Sequence, residues 1–333
     1  MEFFDGHHGQ PGRAGEKSTP TPVASAGILA PMNAAALLGR LGFAAAAVAG
    51  WLPLRLQRAL GSLGGRLAHW RNTREARVAR RNLELIHPEW TDAQREPEVG
   101  RILRATGRNF VETLRVWTRS RAANLRLVRA VHGGERLAAA LAQGRGLVVA
   151  APHFGNWEML LVWLAAQAPL TLVYRVPEKP AGDVFLRLAR GGPGVTLVPA
   201  ETNAMRPLWR ALREGGMVGI TPDQQPKFGG GEFAPFFGRQ ALTLSLIPRL
   251  AERSGAPVLY AWAAPVPGGF DIHVEEAAPD LASADLATAT AAMNAQVEAI
   301  ARRDLRQYQW TYKRFSRRPD GSGERNPYRP DCY

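Results

Sequence analysis

A histidine and a glutamate stand five residues apart in the segment Val148-Val149-Ala150-Ala151-Pro152-His153-Phe154-Gly155-Asn156-Trp157-Glu158, directly after a short run of apolar, β-prone residues. Pro152 stops that run and Asn156 is a good N-cap, so His153 belongs to a strand-to-helix turn and Glu158 to the first turn of the helix. Within one regular helix a spacing of five separates two side chains by about 140°, but a turn residue and a first-turn residue can meet. A histidine base near neutral pH, held by a carboxylate, is the orienter and base of a catalytic triad without the protein nucleophile. A hydroxyl of the substrate would then be the nucleophile. The plain alternative is a strand-end histidine that hydrogen-bonds for structure alone, beside a glutamate that serves the helix dipole.

Other chemistries lack their signatures. The chain has no G-x-x-x-x-G-K-[ST], no G-x-G-x-x-G opening a helix after a strand, no G-x-S-x-G and no H-E-x-x-H, which removes the common ATPase, dehydrogenase, serine-hydrolase and metalloprotease readings. The single cysteine, Cys332, excludes an intrachain disulfide and a cysteine-based zinc site. The seven histidines are scattered, so neither a metal nor another cofactor is expected.

The elements that must position His153 begin near Gly146, where β-rich runs alternate with helical ones. These are Leu147–Ala151 then Asn156–Gln167, Leu170–Tyr174 then Asp183–Arg190, Val195–Pro199 then Ala204–Glu214, and finally Met217–Ile220. Strand and helix in alternation mark βαβ units. Val258–Ala263 and Phe270–Glu275, around Pro267-Gly268-Gly269, are expected to close the sheet as an antiparallel pair. The fold class is therefore α/β, a mixed sheet flanked by helices, and His153 lies at the carboxyl end of a strand, where such sheets bind ligands. Upstream, Leu103, Phe110, Leu114 and Trp117 recur at helical spacing within a helix from about Val99 to Trp117, which reads as core packing.

Four segments follow. Residues 1–27, which include His7 and His8, read as a disordered tail; 28–60 as an N-terminal membrane-anchoring helix; 61–320 as the α/β domain; 321–333 as a C-terminal tail. From Ile28 to Leu54 the only ionisable side chain is Arg40. Spanning the bilayer, lying in its interface and packing on the protein are all open to such a stretch. Residues 1–27 carry three acids and two bases, whereas Arg55 to Arg81 carry eight arginines against Glu75 alone, so the body is expected on the cytoplasmic face of a membrane. Arg71, Arg74, Arg77 and Arg81 would form one cationic stripe on a helix, suited to an anionic leaflet. The whole chain has 42 basic residues, only four of them lysines, against 29 acidic ones, a net charge of +13. Anionic lipid, a phosphorylated substrate, an acidic carrier protein and nucleic acid are the partner classes this charge admits. Nucleic acid has nothing else in its favour, since no helix-turn-helix, zinc-finger or RNP1 pattern is present.

The run His153-Phe154-Gly155-Asn156-Trp157-Glu158 resembles the histidine–four residues–acid motif of the membrane glycerolipid acyltransferases, and other blocks resemble one branch of them, the lipid A biosynthesis (lauroyl/myristoyl) acyltransferases. These blocks are Arg81-Asn82-Leu83-Glu84-Leu85 before His87-Pro88-Glu89, Val173-Tyr174-Arg175 ahead of Glu178-Lys179-Pro180, and Asp223-Gln224. They continue with Pro235-Phe236-Phe237-Gly238, Ser254-Gly255-Ala256-Pro257-Val258, and Gln307-Tyr308-Gln309-Trp310 through Lys313-Arg314-Phe315. Glu158 in place of aspartate, and no Glu-Gly-Thr-Arg block, favour that branch over the glycerol-phosphate one. The resemblance implies a bacterial inner-membrane enzyme that moves a fatty acyl chain from an acyl carrier protein thioester to a hydroxyl of a phosphorylated glycolipid, with no cofactor. It implies His153 as general base oriented by Glu158, and places Arg175, Asp223 and Gln224 in the substrate site. Phe236, Phe237 and Gly238 would line an acyl groove. Lysophospholipids and amino-acid-containing lipids are the alternative acceptors.

Overall fold

The computed structural model describes residues 34–200, 205–226 and 230–333; the tail assigned to residues 1–27, and the first residues of the segment 28–60, lie outside them. The apolar N-terminal run is not one helix. It breaks at Trp51-Leu52-Pro53 into α1 (Ala34–Gly50) and α2 (Leu54–Trp70), bent by 111°. Pro53 has no N–H to give and disfavours helix in the residue before it. No single helix among the described residues is long and apolar enough to cross a membrane.

Two further helices, α3 (Arg74–Ile86) and α4 (Asp92–Thr118), precede the sheet. α4 starts earlier than its apolar spacing suggests, because Thr91 and Gln94 form a capping box. Beyond it the chain runs through α5 (Arg121–Leu125), β1 (Val128–His132), α6 (Gly134–Ala142), β2 (Leu147–Ala150), α7 (Trp157–Leu164), β3 (Leu170–Tyr174), α8 (Pro180–Arg190), β4 (Val195–Pro199), α9 (Met205–Arg213) and β5 (Met217–Ile220). The hairpin β6 (Gly231–Phe236) and β7 (Arg239–Leu244) leads to α10 (Leu246–Ser254), β8 (Val258–Val266), β9 (Gly269–Glu276) and α11 (Leu286–Arg303).

The main sheet has the order β1-β9-β8-β2-β5-β3-β4. It is parallel from β8 to β4, with β9 antiparallel to β8 and β1 parallel to β9. The mixed, helix-flanked α/β architecture is therefore present, but β8 and β9 do not close the sheet. β1 does so, and its sequence hid it: Val-Arg-Ala-Val-His is a half-exposed edge strand without a buried face.

α2 lies tightly on α4 through glycines. A Cβ on Gly61 would stand 2.4 Å from the Gly107 carbonyl oxygen, and one on Gly107 would stand 2.1 Å from that of Gly61. One core fills the space between the sheet and α3, α4, α9, α10 and α11, with Leu83, Ile102, Val218, Tyr260 and Trp310 fully or almost fully buried. A second lies on the other face under α6 and α7, around Leu137, Val149, Leu160 and Phe270.

The cationic stripe is corrected by the break between α2 and α3, which separates Arg71 from Arg74. Arg77 and Arg81 point to the chain's own C-terminal segment, donating to the main-chain oxygens of Asp331 and Pro327. That segment is packed, not trailing: Tyr328 and Cys332 are buried, and the Tyr328 hydroxyl donates to Asn82 Oδ1 at 2.5 Å.

Candidate active site

β2 and β5 are parallel neighbours with Ala150 opposite Ile220. Each chain leaves its strand at the same level, and three residues further on stand His153 and Asp223. His153 Nδ1 is 2.7 Å from Asp223 Oδ1, and the His153 main-chain N–H donates to Asp223 Oδ2 at 2.8 Å. The His153 carbonyl accepts from the Gln309 N–H at 3.0 Å, so backbone and ring are both fixed. Gly155 makes the turn feasible. Its φ is +61°, and a Cβ there would stand 2.1 Å from the Ala263 carbonyl oxygen. Asn156 caps α7 as its sequence position suggests, its Oδ1 accepting from the Met159 N–H at 3.0 Å.

A carboxylate can only accept, so Asp223 holds the hydrogen on Nδ1 and leaves Nε2 with its lone pair. With the Gln224 amide nitrogen assigned toward the ring, Nε2 accepts from Gln224 Nε2 at 3.2 Å. Burial would raise the Asp223 carboxyl, but the charge of His153, the hydrogen bonds from it and the charge of Arg314 hold it below the usual carboxylate range. Tyr308 is pushed well above its ordinary value by burial, then by the Asp223 charge and a hydrogen bond to Asp223.

Glu158 is buried, but its carboxylate goes to Arg190, with contacts at 2.6 and 2.9 Å. Its hydrogen bonds do not reach His153. The link between them is indirect: the Arg190 guanidinium lies over the Trp157 ring at 4.5 Å, and that ring is 5.8 Å from the imidazole. Among the described residues the carboxylate on the imidazole is therefore that of Asp223, whereas Glu158, one residue past Trp157 on the helix, is turned toward α8. There it lines a separate cavity of about 350 Å³ with Trp117, Leu161, Leu188 and Arg190.

The other expected site residues separate into rim and core. Arg175, just past β3, is more than half exposed and faces Glu178 at 3.6 Å. Phe236 and Phe237 are buried and pack on Tyr308, Trp310 and Phe315 instead of lining a groove. The two-residue hairpin turn Phe237-Gly238 takes φ of +48° and +71°, and its first N–H is held by the Glu298 carboxylate.

Sequence reading gave no role to three residues that the structure brings close. Tyr308 is buried close enough to Asp223 for that carboxylate to raise its pKa. Arg314 is buried behind it, donating to the Leu242 carbonyl and Thr243 Oγ1, each at 2.6 Å, under the Phe236 ring. Asn109 of α4 donates to the Gly155 carbonyl at 2.8 Å. The only signal for the first two was their membership of the resemblance blocks. A cavity of about 80 Å³ opens on His153 between Thr106, Asn109, Trp157, Gln307 and Tyr308.

The model of the bacterial lipid A biosynthesis acyltransferase family matches residues 32–317 of this chain. Among curated proteins, the lipid A biosynthesis lauroyltransferase of Escherichia coli (strain K12) is 28% identical over 277 residues, covering 81% of this chain and 88% of that protein. The palmitoleoyltransferase of the same organism is 28% identical over 275 residues, covering 81% and 88%. A phosphatidylinositol mannoside acyltransferase of Mycobacterium tuberculosis (strain CDC 1551 / Oshkosh) is 28% identical over 221 residues, covering 64% and 69%.

Proposed function

The chain belongs to the bacterial lipid A biosynthesis acyltransferase family, and from that premise we propose that it transfers a fatty acyl chain from an acyl carrier protein thioester to a hydroxyl of a phosphorylated lipid A precursor, with His153 as general base. The observation that carries this reading is the imidazole at the carboxyl end of β2. Asp223 fixes its Nδ1–H, and among the described residues its Nε2 is hydrogen-bonded by a neutral amide that a substrate hydroxyl can displace.

In the first step Nε2 takes the hydroxyl proton as the oxygen bonds to the thioester carbonyl carbon. The tetrahedral intermediate then collapses, the carbon–sulfur bond breaks, and the imidazolium returns the proton to the departing thiolate. Asp223 steadies the cation while it exists, and the Arg314 charge favours the ionised form of Asp223. The thioester is already activated, so the step draws on no metal or nucleotide. Labelled acyl carrier protein thioesters, screened against acylated acceptors and scored by mass spectrometry, test the reading. A phosphorylated glucosamine-based acceptor should gain one acyl chain. Acylation of a lysophospholipid or an amino-acid-containing lipid alone would replace the acceptor. A phosphatidylinositol mannoside is the second acceptor to include, given the similarity to the mycobacterial enzyme.

In this reading Glu158 is a positioning residue that acts through Arg190 and Trp157. Glu158→Gln is expected to lower kcat about tenfold with KM little changed, less than loss of the base itself, and Glu158→Asp should recover part of it. A loss equal to that of His153→Ala, with the pH profile displaced, would return the orienting role to Glu158.

The outer faces of α1 and α2 support a membrane location. Val48 and, in the break after α1, Trp51, with Leu63 and Trp70 of α2, are between 62% and 77% exposed, and Phe110 of α4, whose helical spacing assigns it to the core, is instead 65% exposed, a larger apolar display than a soluble surface carries singly. The bent pair would lie in the interface of the inner membrane, with the body on its cytoplasmic side. The protein should float with vesicles containing anionic lipid, and alkaline carbonate should strip most of it from membranes. Retention after carbonate would mean a spanning anchor, and protease access to the body from the periplasmic side of spheroplasts would reverse the topology.

A further inference from the structure

On one face of α4, Arg101, Arg104 and Arg108 follow each other at spacings of three and four, and Arg306, in the short 3-10 turn after α11, faces them. Together with Asp304 and Gln307 they line a concave site of about 320 Å³. Two of the four cations are already paired, Arg101 with Glu98 and Arg306 with Asp304. Arg104 and Arg108 make no ion pair within salt-bridge distance among the described residues. Burial pushes the Arg108 guanidinium down, Glu112 opposes this, and the charges of Arg58, Arg104 and Arg306 push it down further. Glu112 is itself bound to Arg58, so it does not neutralise the cluster. Converging arginines that repel one another and are partly desolvated are a site built for an anion.

The site adjoins the base. Arg306 and Gln307 line both this cavity and the one that opens on His153, and the Gln307 carbonyl accepts from the Gly155 N–H at 3.0 Å. We infer that Arg104 and Arg108, flanked by Arg101 and Arg306, form a phosphate-binding subsite that holds a phosphate ester of one substrate while its reacting group lies at His153. Two phosphates fit that chemistry, the one on the glycolipid acceptor and the one on the carrier protein's phosphopantetheine arm. The inference rests on the acyl-transfer reading only in its kinetic arm.

The test begins with inorganic phosphate, titrated calorimetrically into the full chain in detergent. Wild type and His153→Ala should bind it alike, more weakly as salt rises. The Arg104→Gln/Arg108→Gln variant, with an unchanged melting temperature, should bind it about tenfold or more weakly. In the kinetic arm, a rise of similar size in KM for the phosphorylated acceptor, absent for a dephosphorylated acceptor, assigns the subsite to the acceptor. A rise confined to the donor, matched in wild type by replacing the phosphopantetheine thioester with a pantetheine thioester, assigns it to the carrier arm. A variant that keeps wild-type phosphate affinity, or loses it with both KM values unmoved, overturns the inference. If wild type turns over no acceptor at all, the acyl-transfer reading fails while the phosphate titration still decides the subsite.

Discussion

Replacing His153 with alanine is expected to cut turnover by about 10²–10⁴-fold, the range for a positioned acid–base group, while leaving the fold and membrane association intact. The ring sits in a turn and, though only 12% exposed, belongs to neither hydrophobic core, so its removal opens little of them. The main chain of the His153→Ala variant would keep both the bond to Asp223 and the bond from Gln309, because neither uses the side chain of His153. The measurement is kcat/KM with an acyl carrier protein thioester, alongside a thermal melt. Should the variant keep more than about a tenth of the wild-type rate, His153 is not the base.

Asp223→Asn should come close to that loss, because an asparagine can present its amide nitrogen to Nδ1 and so turn the imidazole to the tautomer whose Nε2 carries the hydrogen. The double variant should lose no more than His153→Ala alone, since the two groups act as a unit. A full additive loss would separate them. Stability supplies a second readout. The Asp223 carboxyl is held below its unfolded value of about 3.9. Its contribution is therefore complete above that pH and is lost as pH falls through the lower, folded value. Below about pH 4 the wild type should lose stability more steeply than Asp223→Asn.

The local part of this architecture was legible from the chain. β3, β4 and β5 fall on the residues whose β-rich runs announce them, and the turn holding His153, with its Asn156 cap, follows from Pro152 and the capping preference. What escaped depends on which strands are neighbours. Periodicity sees β2 followed by β3, yet β5 is the strand inserted between them, and only that insertion sets Asp223 against His153. The direction of Glu158 was equally hidden, since spacing across a turn does not say on which side of the helix a first-turn residue emerges. The hairpin β6–β7 and helix α11 were missed because they lie late in the chain, where no repeated strand–helix alternation frames them. The apolar N-terminal run was seen, but its composition did not reveal that Pro53 divides it.

The C-terminal segment ties the site to the last-made part of the chain. Asn82 Nδ2 donates to the carbonyls of Trp310 and Tyr312, and Gln225 Nε2 to those of Lys313 and Arg314, so α3 and the loop after β5 are tied to residues synthesised long after them. A ribosome delivers α1 and α2 well before Tyr308, Gln309 and Arg314, and domains generally fold as units once their chain is available. The contacts that hold the His153 carbonyl and the loop after β5 can therefore form only once that later segment has been released and laid across α3. A chain ending upstream of residue 308 would lack the Gln309 N–H that holds the His153 carbonyl and every carbonyl that Asn82 and Gln225 bind here, so the two loops that present His153 and Asp223 would lose their common clamp.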